Sequence, residues 1–160
     1  METRQIEISL ETAKRWYEQG GEYRDIVLTA FKEHELIGDR LPKTWDEYCA
    51  KHGEVGDKIK ASLDSAYTTI NRYAFSDYKQ TQAHIAMIKL HLLRDEYRQG
   101  WVPEWGNIDE SKFVIEMAGN ELTVENYGIT RHFLAFQDEK RANEFLTNFR
   151  ELIEEAGDLI

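Results

Sequence analysis

The sequence contains little cysteine and proline, and it has no long apolar run. The single cysteine, Cys49, cannot form an internal disulfide or a cysteine-based metal cluster; this fits a reducing compartment, and a core thiol is its expected role. The first ten residues, METRQIEISL, carry charges throughout, so we expect no signal peptide. The most apolar segment, IAMIKLHLL, is short and includes Lys89 and His91. We therefore expect no membrane-spanning helix and a cytoplasmic protein.

Basic charge is also scarce. The chain has 30 acidic and 20 basic residues, which gives a formal net charge of -10. Because an acidic surface without a lysine or arginine block repels phosphates, we expect no direct binding of nucleic acid. An acidic mimic of DNA is a minor alternative, since the interspersed basic residues dilute the density of carboxylates that such a mimic needs.

Common catalytic and metal-binding motifs are missing. The sequence has no G-x-S-x-G, P-loop, G-x-G-x-x-G, H-E-x-x-H or C-x-x-C element. His84 and His91 are separated by about 10.5 Å along a predicted helix. That is too far to share one metal ion, whose ligands lie about 2 Å from it. We therefore expect a protein that is not an enzyme and that has no metal site and no cofactor.

The first part of the chain has helical periodicity. Ser9 is a candidate N-cap of a helix that ends at Gly20. The next segment, EYRDIVLTAFKEHEL, has apolar residues at helical spacing and predicts a second helix. Thr44, followed by Glu47 three residues later, is typical of a capping box and predicts a short helix that ends at Gly53.

Two longer helices are predicted next. The segment DKIKASLDSAYTTINRY has one apolar stripe. The segment TQAHIAMIKLHLLRDEYRQG is apolar on two sides, with Leu90 and Leu93 on one side and Ile85 and Ile88 on the other. An apolar surface on two sides indicates two neighbours, so we predict that this helix is central and ends at Gly100.

Beyond the central helix, the periodicity changes to that of strands. The segment KFVIEMAGNELTVENYG alternates, and Gly119-Asn120 predicts a two-residue hairpin turn. RHFLAF predicts a third strand, and DEKRANEFLTNFRELIEEAGDLI predicts a closing amphipathic helix. The expected fold is a single α+β domain over residues 1–160, with a helical N-terminal part, a small antiparallel sheet of about three strands and a closing helix.

The stretch GWVPEWGN joins the central helix to the sheet. It holds Trp101 and Trp105 on either side of Pro103, which prevents the helix from continuing. Because one tryptophan buries about 150–250 Å², two of them can pin a helix to a hairpin. We favour a packed elbow at this position, and a stacking surface for a ligand is the alternative.

Polar side chains at three- and four-residue steps, from His84 to Arg98, form an arc on the central helix that leads to the two tryptophans. Forked guanidinium donors suit phosphate or carboxylate, and indoles suit an aromatic ring. The candidate ligand-binding residues are His91, Arg94, Arg98, Trp101 and Trp105. The alternative is a solvated helix face on which Asp95 pairs with His91 or with an arginine.

Three elements resemble a family of small uncharacterised proteins encoded by phages and mobile elements of gut Bacteroidetes. GWVPEWGN is similar to the Gly-Trp-x-Pro-(Asp/Glu)-Trp element of that family. LPKTWDEYC resembles its Leu-Pro-x-(Ser/Thr)-Trp element, and LAFQDEKRANEFLTNFRELIEEA resembles its closing helix with phenylalanine and alanine. Together the three elements span most of residues 40–156.

The resemblance implies a phage accessory protein that acts by binding. Such a protein would occupy a host protein, for example a defence component, or would sequester a small nucleotide signal of the host. A virion or assembly component is the third class. We expect one of the first two, an anti-defence binding protein without catalysis, and a homo-oligomer is compatible with it.

Overall fold

A computed structural model describes residues 7–73, 78–119, 121–128 and 131–159, with the backbone alone described at 67–73 and 158. The predicted α+β fold is confirmed. The helices are α1 (Leu10–Gln19), α2 (Gly21–Leu28), α3 (Glu33–Ile37), α4 (Trp45–Lys51), α5 (Gly53–Tyr73), α6 (Tyr78–Arg98) and α7 (Glu139–Ala156). The strands are β1 (Lys112–Ala118), β2 (Glu121–Tyr127) and β3 (Ala135–Phe136).

The N-terminal helices begin as predicted, but the second predicted helix is broken. The Ser9 hydroxyl accepts a hydrogen bond from the Thr12 amide at 3.2 Å, which caps α1. Between α2 and α3 the Thr29 hydroxyl donates to the Ile26 carbonyl at 2.6 Å. The Glu35 carboxylate then accepts from the Lys32 amide at 2.9 Å, which starts a new helix. These local side-chain bonds compete with the helix and override the apolar spacing.

The capping box of α4 is present in a shifted form. The Thr44 hydroxyl accepts from the Glu47 amide at 3.1 Å, as predicted. The Glu47 carboxylate, however, accepts from the amide of Lys43 and not from that of Thr44. Beyond this helix, a Cβ at Gly56 would overlap the Cys49 carbonyl oxygen, so glycine is needed where α5 packs against α4.

The helix α6 is central, as predicted. It packs against α4, α5 and α7. Leu90 and Leu93 are completely buried, whereas Ile88, on the second predicted apolar side, is 44% exposed. The main core consists of Tyr48, Cys49, Ala86, Leu90, Leu93, Tyr97, Ile115, Leu134, Phe136, Ala142, Phe145, Leu146, Phe149, Ile153 and Ala156. A smaller core between α1, α2 and α3 consists of Ala13, Tyr17, Val27, Leu36 and Ile37.

The sheet has the order β2-β1-β3 and both pairings are antiparallel. Ala118 pairs with Glu121, which confirms the predicted two-residue turn; Gly119 has a φ of 67° and Asn120 lies outside the described residues. The third strand is confirmed but covers only two residues of the predicted segment. The closing helix α7 is capped by Asp138, whose carboxylate accepts from the Arg141 amide at 2.8 Å, and it packs on all three strands.

Two expectations from composition can be compared with the structure. Cys49 is a free, buried thiol, and burial raises its pKa to about 11. Among the helices that are described, none combines the length and the apolar character needed to cross a membrane.

Candidate binding surface

The connection from α6 to β1, residues 99–111, is here called the elbow. Gln99 and Gly100 have φ values of 49° and 86°, in the left-handed region that ends a helix. The Trp101 amide donates to the Arg98 carbonyl at 2.9 Å, and Pro103 follows two residues later. The chain therefore leaves the axis of α6 in a turn and cannot resume the helix.

Glu110 organises the interior of the elbow. Its carboxylate accepts hydrogen bonds from the Glu104 amide at 2.9 Å and from the Trp101 indole Nε1 at 3.1 Å. The bond from the Glu104 amide, followed by those from Lys112 and Trp101, lowers the pKa of Glu110 below its usual value. One carboxylate thus ties three points of the chain together.

Lys112, the first residue of β1, fastens the elbow to the sheet. Its side chain is completely buried. The ammonium donates to the Asn107 carbonyl at 2.8 Å and to the Glu110 carbonyl at 2.9 Å, and it lies 3.2 Å from the Glu110 carboxylate. Since an ammonium has three donors, these three oxygens satisfy it. The Trp105 ring lies beside it, with 6.0 Å from the ring centroid to Nζ.

Two large apolar side chains are exposed on the elbow. Val102 is 77% exposed and Ile108 is 72% exposed, and these are the highest values among the large apolar side chains that the structure describes. Trp101 and Trp105, in the same loop, are half-buried. The contacts inside are those of a packed elbow, and stacking of a ligand on the exposed parts of the indoles remains a prediction.

The polar side chains of α6 that precede the elbow, His91, Arg94, Asp95 and Arg98, are here called the arginine face. The two guanidinium groups point to the segment that enters β3. Arg98 Nε donates to the Ala135 carbonyl at 2.8 Å, and Arg94 Nη1 donates to the Phe133 carbonyl at 3.3 Å. The Arg94 guanidinium also lies 4.6 Å from the centroid of the Phe133 ring.

The remaining donors of Arg94 are occupied by neighbours on the same helix. Its Nε and Nη2 donate to the Asp95 carboxylate at 3.0 and 2.7 Å, and the same carboxylate lies 3.3 Å from the His91 Nε2. Arg94 is 8% exposed, whereas the His91 side chain is 55% exposed. Burial, and then the charge of Arg94, lower the pKa of Arg98 to about 10.

The structure brings some of the five predicted ligand-binding residues together. His91 and Arg94 are in contact, and the Arg98 guanidinium lies 5.7 Å from the Trp101 ring centroid. Trp105 instead lies beside Lys112. The ligand-binding role of the five residues remains a prediction. Sequence reasoning did not find their partners at Phe133 and Ala135, because no local pattern links positions more than thirty residues apart.

Two cavities are lined in part by residues of α6. A small apolar one of about 360 Å³ is lined by Met87, Ile88, His91, Leu92 and Phe133. A larger one, of about 630 Å³, lies between α6, α7 and the chain at residues 40–43, and the sequence analysis did not predict a site there. Among the residues described, no group of three or more His, Cys, Asp or Glu side chains is arranged to hold a metal ion.

Comparison of the chain with protein-family models, with curated proteins and with solved structures finds no match. The resemblance of the three motifs to a family of phage and mobile-element proteins therefore remains a prediction.

Proposed function

We propose that this protein is a binding protein without catalytic activity, and that the elbow is the surface that docks onto a protein partner. On the motif resemblance, the partner is a host factor, such as a defence component, that a phage or mobile element neutralises. The observation that carries the proposal is the exposure of Val102 and Ile108 on a loop whose interior is held by Glu110 and Lys112.

The elbow has the physical properties of an interface hot spot. Burying a valine or isoleucine side chain contributes about 1.5–3 kcal/mol. Immobilising a flexible interface side chain costs about 0.5–1.5 kcal/mol, and a preorganised loop avoids much of the related cost of ordering its backbone. Half-buried Trp101 and Trp105 add the residue type that is most enriched at such sites.

The charge of the elbow indicates the chemistry of its partner. The exposed carboxylate residues Glu104 and Asp109 stand next to Pro103 and Ile108 in the chain, and the protein as a whole carries a formal charge of -10. Electrostatic complementarity favours a partner whose apolar pocket has a basic rim. The proposed partner surface is therefore apolar at its centre and positively charged around it.

The arginine face supports a protein partner over a nucleotide signal. The guanidinium groups of Arg94 and Arg98 already donate to backbone carbonyls or to Asp95. A phosphate bound there would have to replace these bonds. The side chains of Val102 and Ile108 in the elbow are mostly exposed, so a partner could cover them without replacing a hydrogen bond.

Site-specific photo-crosslinking tests the proposal. A photoreactive phenylalanine analogue is placed at Val102 or at Ile108, and at Val55 of α5 as the matched control, which is 62% exposed. The proteins are expressed in Bacteroidetes cells with and without phage. We expect a discrete adduct with one host protein from positions 102 and 108 and none from position 55.

Other results of this experiment would contradict the proposal. Absence of an adduct at positions 102 and 108, or the same adducts from position 55, would show that the elbow does not bind a host protein. Adducts with phage structural proteins alone would favour the virion or assembly alternative.

A further inference from the structure

The larger cavity is a second candidate site, away from the elbow. Its volume is about 630 Å³, within the range of about 300–1,000 Å³ that is typical of small-molecule sites. Three basic side chains line it, those of Arg40, Lys43 and Lys140. Two carboxylate side chains, those of Glu18 and Glu144, line it as well, so basic residues outnumber acidic ones there, although the chain has a formal net charge of -10.

Arg40 has donors to spare. Its Nη2 donates to the Glu47 carboxylate at 2.9 Å. Its Nε and Nη1 are buried, and no described residue accepts a hydrogen bond from them. Both nitrogens are enclosed by protein, so a rotation of the Arg40 side chain, which lines the cavity, would be needed to bring these unpaired donors to the oxygens of a phosphate or a carboxylate.

The two lysines are available as well. The Lys43 ammonium has no ion-pair partner among the residues described, although its backbone amide donates to Glu47. The Lys140 side chain is 84% exposed, and the nearest carboxylate paired with it, that of Glu144, is 3.9 Å away. Both ammonium groups can therefore turn toward an anion without breaking a strong contact.

Hydrogen bonds within the protein hold one wall of the cavity in place before any ligand binds. The Tyr97 hydroxyl donates to the Pro42 carbonyl and accepts from Asn148 Nδ2, both at 2.9 Å. Burial raises the pKa of Tyr97 to about 12, and the hydroxyl is protonated at neutral pH, as tyrosine is in water. Glu18 and Glu144 also line the cavity and can accept hydrogen bonds from a ligand.

We propose that this cavity binds a small organic anion, a phosphate or a carboxylate, that also carries hydroxyl or amino groups. Arg40, Lys43 and Lys140 receive the anionic group. Glu18 and Glu144 accept hydrogen bonds from the hydroxyl or amino groups of the ligand. An inorganic ion does not combine an anionic group with organic hydroxyl or amino groups, so it would use only part of the site. This site is independent of the proposed docking of the elbow, and either can be wrong without the other.

Calorimetric titration tests the site with three probes: adenosine 5′-monophosphate, citrate and inorganic phosphate. We expect one of the two organic probes to bind with a Kd below about 1 mM. Lys43→Gln and Lys140→Gln should each weaken that binding by about fivefold or more. Lys58→Gln on α5, where the lysine side chain is 73% exposed, is the matched control and should leave binding unchanged.

The probe that binds identifies the anionic group as phosphate or carboxylate. Arg40→Lys keeps the charge but removes the planar fork, so it should weaken binding as well. The proposal is overturned if no probe binds at about 5 mM, or if only inorganic phosphate binds, or if both cavity lysine variants bind as tightly as the Lys58 control.

Discussion

The arginine face and the elbow are adjacent in the chain but use their side chains in opposite ways. On the arginine face, Arg94 and Arg98 direct charged groups inward, onto the carbonyls of Phe133 and Ala135. In the elbow, polar groups such as the Glu110 carboxylate are directed inward as well, but apolar Val102 and Ile108 remain outside. The charged side chains of the arginine face stabilise the fold through hydrogen bonds to the backbone, whereas the elbow leaves two large apolar side chains exposed.

The difference shows why the residue type alone does not identify a binding site. Buried backbone carbonyls need donors, and β3 is so short that a nearby arginine supplies them. An arginine on a helix face therefore indicates a ligand only when no backbone edge lies within its reach. Large apolar side chains held out by a fastened loop have no such internal role, which makes them the more informative feature.

The largest effect is expected from Lys112→Met. This substitution removes the ammonium that fastens the elbow, so the carbonyls of Asn107 and Glu110 lose their donor. We expect the free energy of unfolding to fall by about 2–6 kcal/mol, measured by urea denaturation, because each unpaired carbonyl costs about 1–3 kcal/mol. Lys58→Met is the control and should change it by less than about 0.5 kcal/mol. A loss at Lys112 as small as that of the control would mean that its ammonium is not a fastening point.

A smaller effect is expected from Arg98→Ala. The Ala135 carbonyl loses its side-chain donor, which should lower the free energy of unfolding by about 1–3 kcal/mol in the same denaturation assay. Arg150→Ala on α7, where the arginine side chain is 50% exposed, serves as the control. If the two variants were equally stable, Arg98 would belong to a solvated face and the contrast with the elbow would fail.

Acid should loosen the elbow. Because the pKa of Glu110 is lower in the folded state, its contribution to stability is present above the unfolded pKa of about 4.3 and is lost as the pH falls through the folded pKa. We expect the NMR signal of the Trp101 indole N–H to shift in that range of pH. In Glu110→Gln this titration should be absent, and its persistence there would assign it to another group.

The smallest effect on stability is expected from the double substitution of Val102→Asp and Ile108→Asp. Because both side chains are exposed, the free energy of unfolding should change by less than about 0.5 kcal/mol. When the photoreactive analogue is at Val102, Ile108→Asp alone should abolish the adduct with the host protein, and Val102→Asp should do the same when the analogue is at Ile108. A large loss of stability would instead show that these side chains pack against the protein itself.

Local patterns predicted much of the fold. The Ser9 cap, the turn at Gly119 and the amphipathic α7 each depend on residues close in the chain, and each is present in the structure. The break at Thr29 was not predicted, because its apolar neighbours have helical spacing while side-chain bonds to the backbone end the helix.

The candidate sites were harder to predict than the fold. The segment GWVPEWGN indicates the elbow in the sequence. The buried position of Lys112 could not be predicted, because no spacing rule identifies the two carbonyls to which its ammonium donates. The cations of the larger cavity come from positions 40, 43 and 140, which only the packing of α7 brings together. Functional groups that converge from distant segments leave no periodic signal in one sequence.

Amide hydrogen exchange in the elbow, followed by NMR, tests most directly whether the loop is preorganised. The Glu104 amide donates to Glu110, and the Asn107 amide donates to the Glu104 carbonyl at 3.0 Å. We predict that both amides exchange at least about tenfold more slowly than in an unfolded chain, and that Glu110→Ala removes the protection of Glu104 but not that of α6. Exchange of both amides at the unfolded rate in the unmodified protein would contradict the elbow as a rigid binding surface.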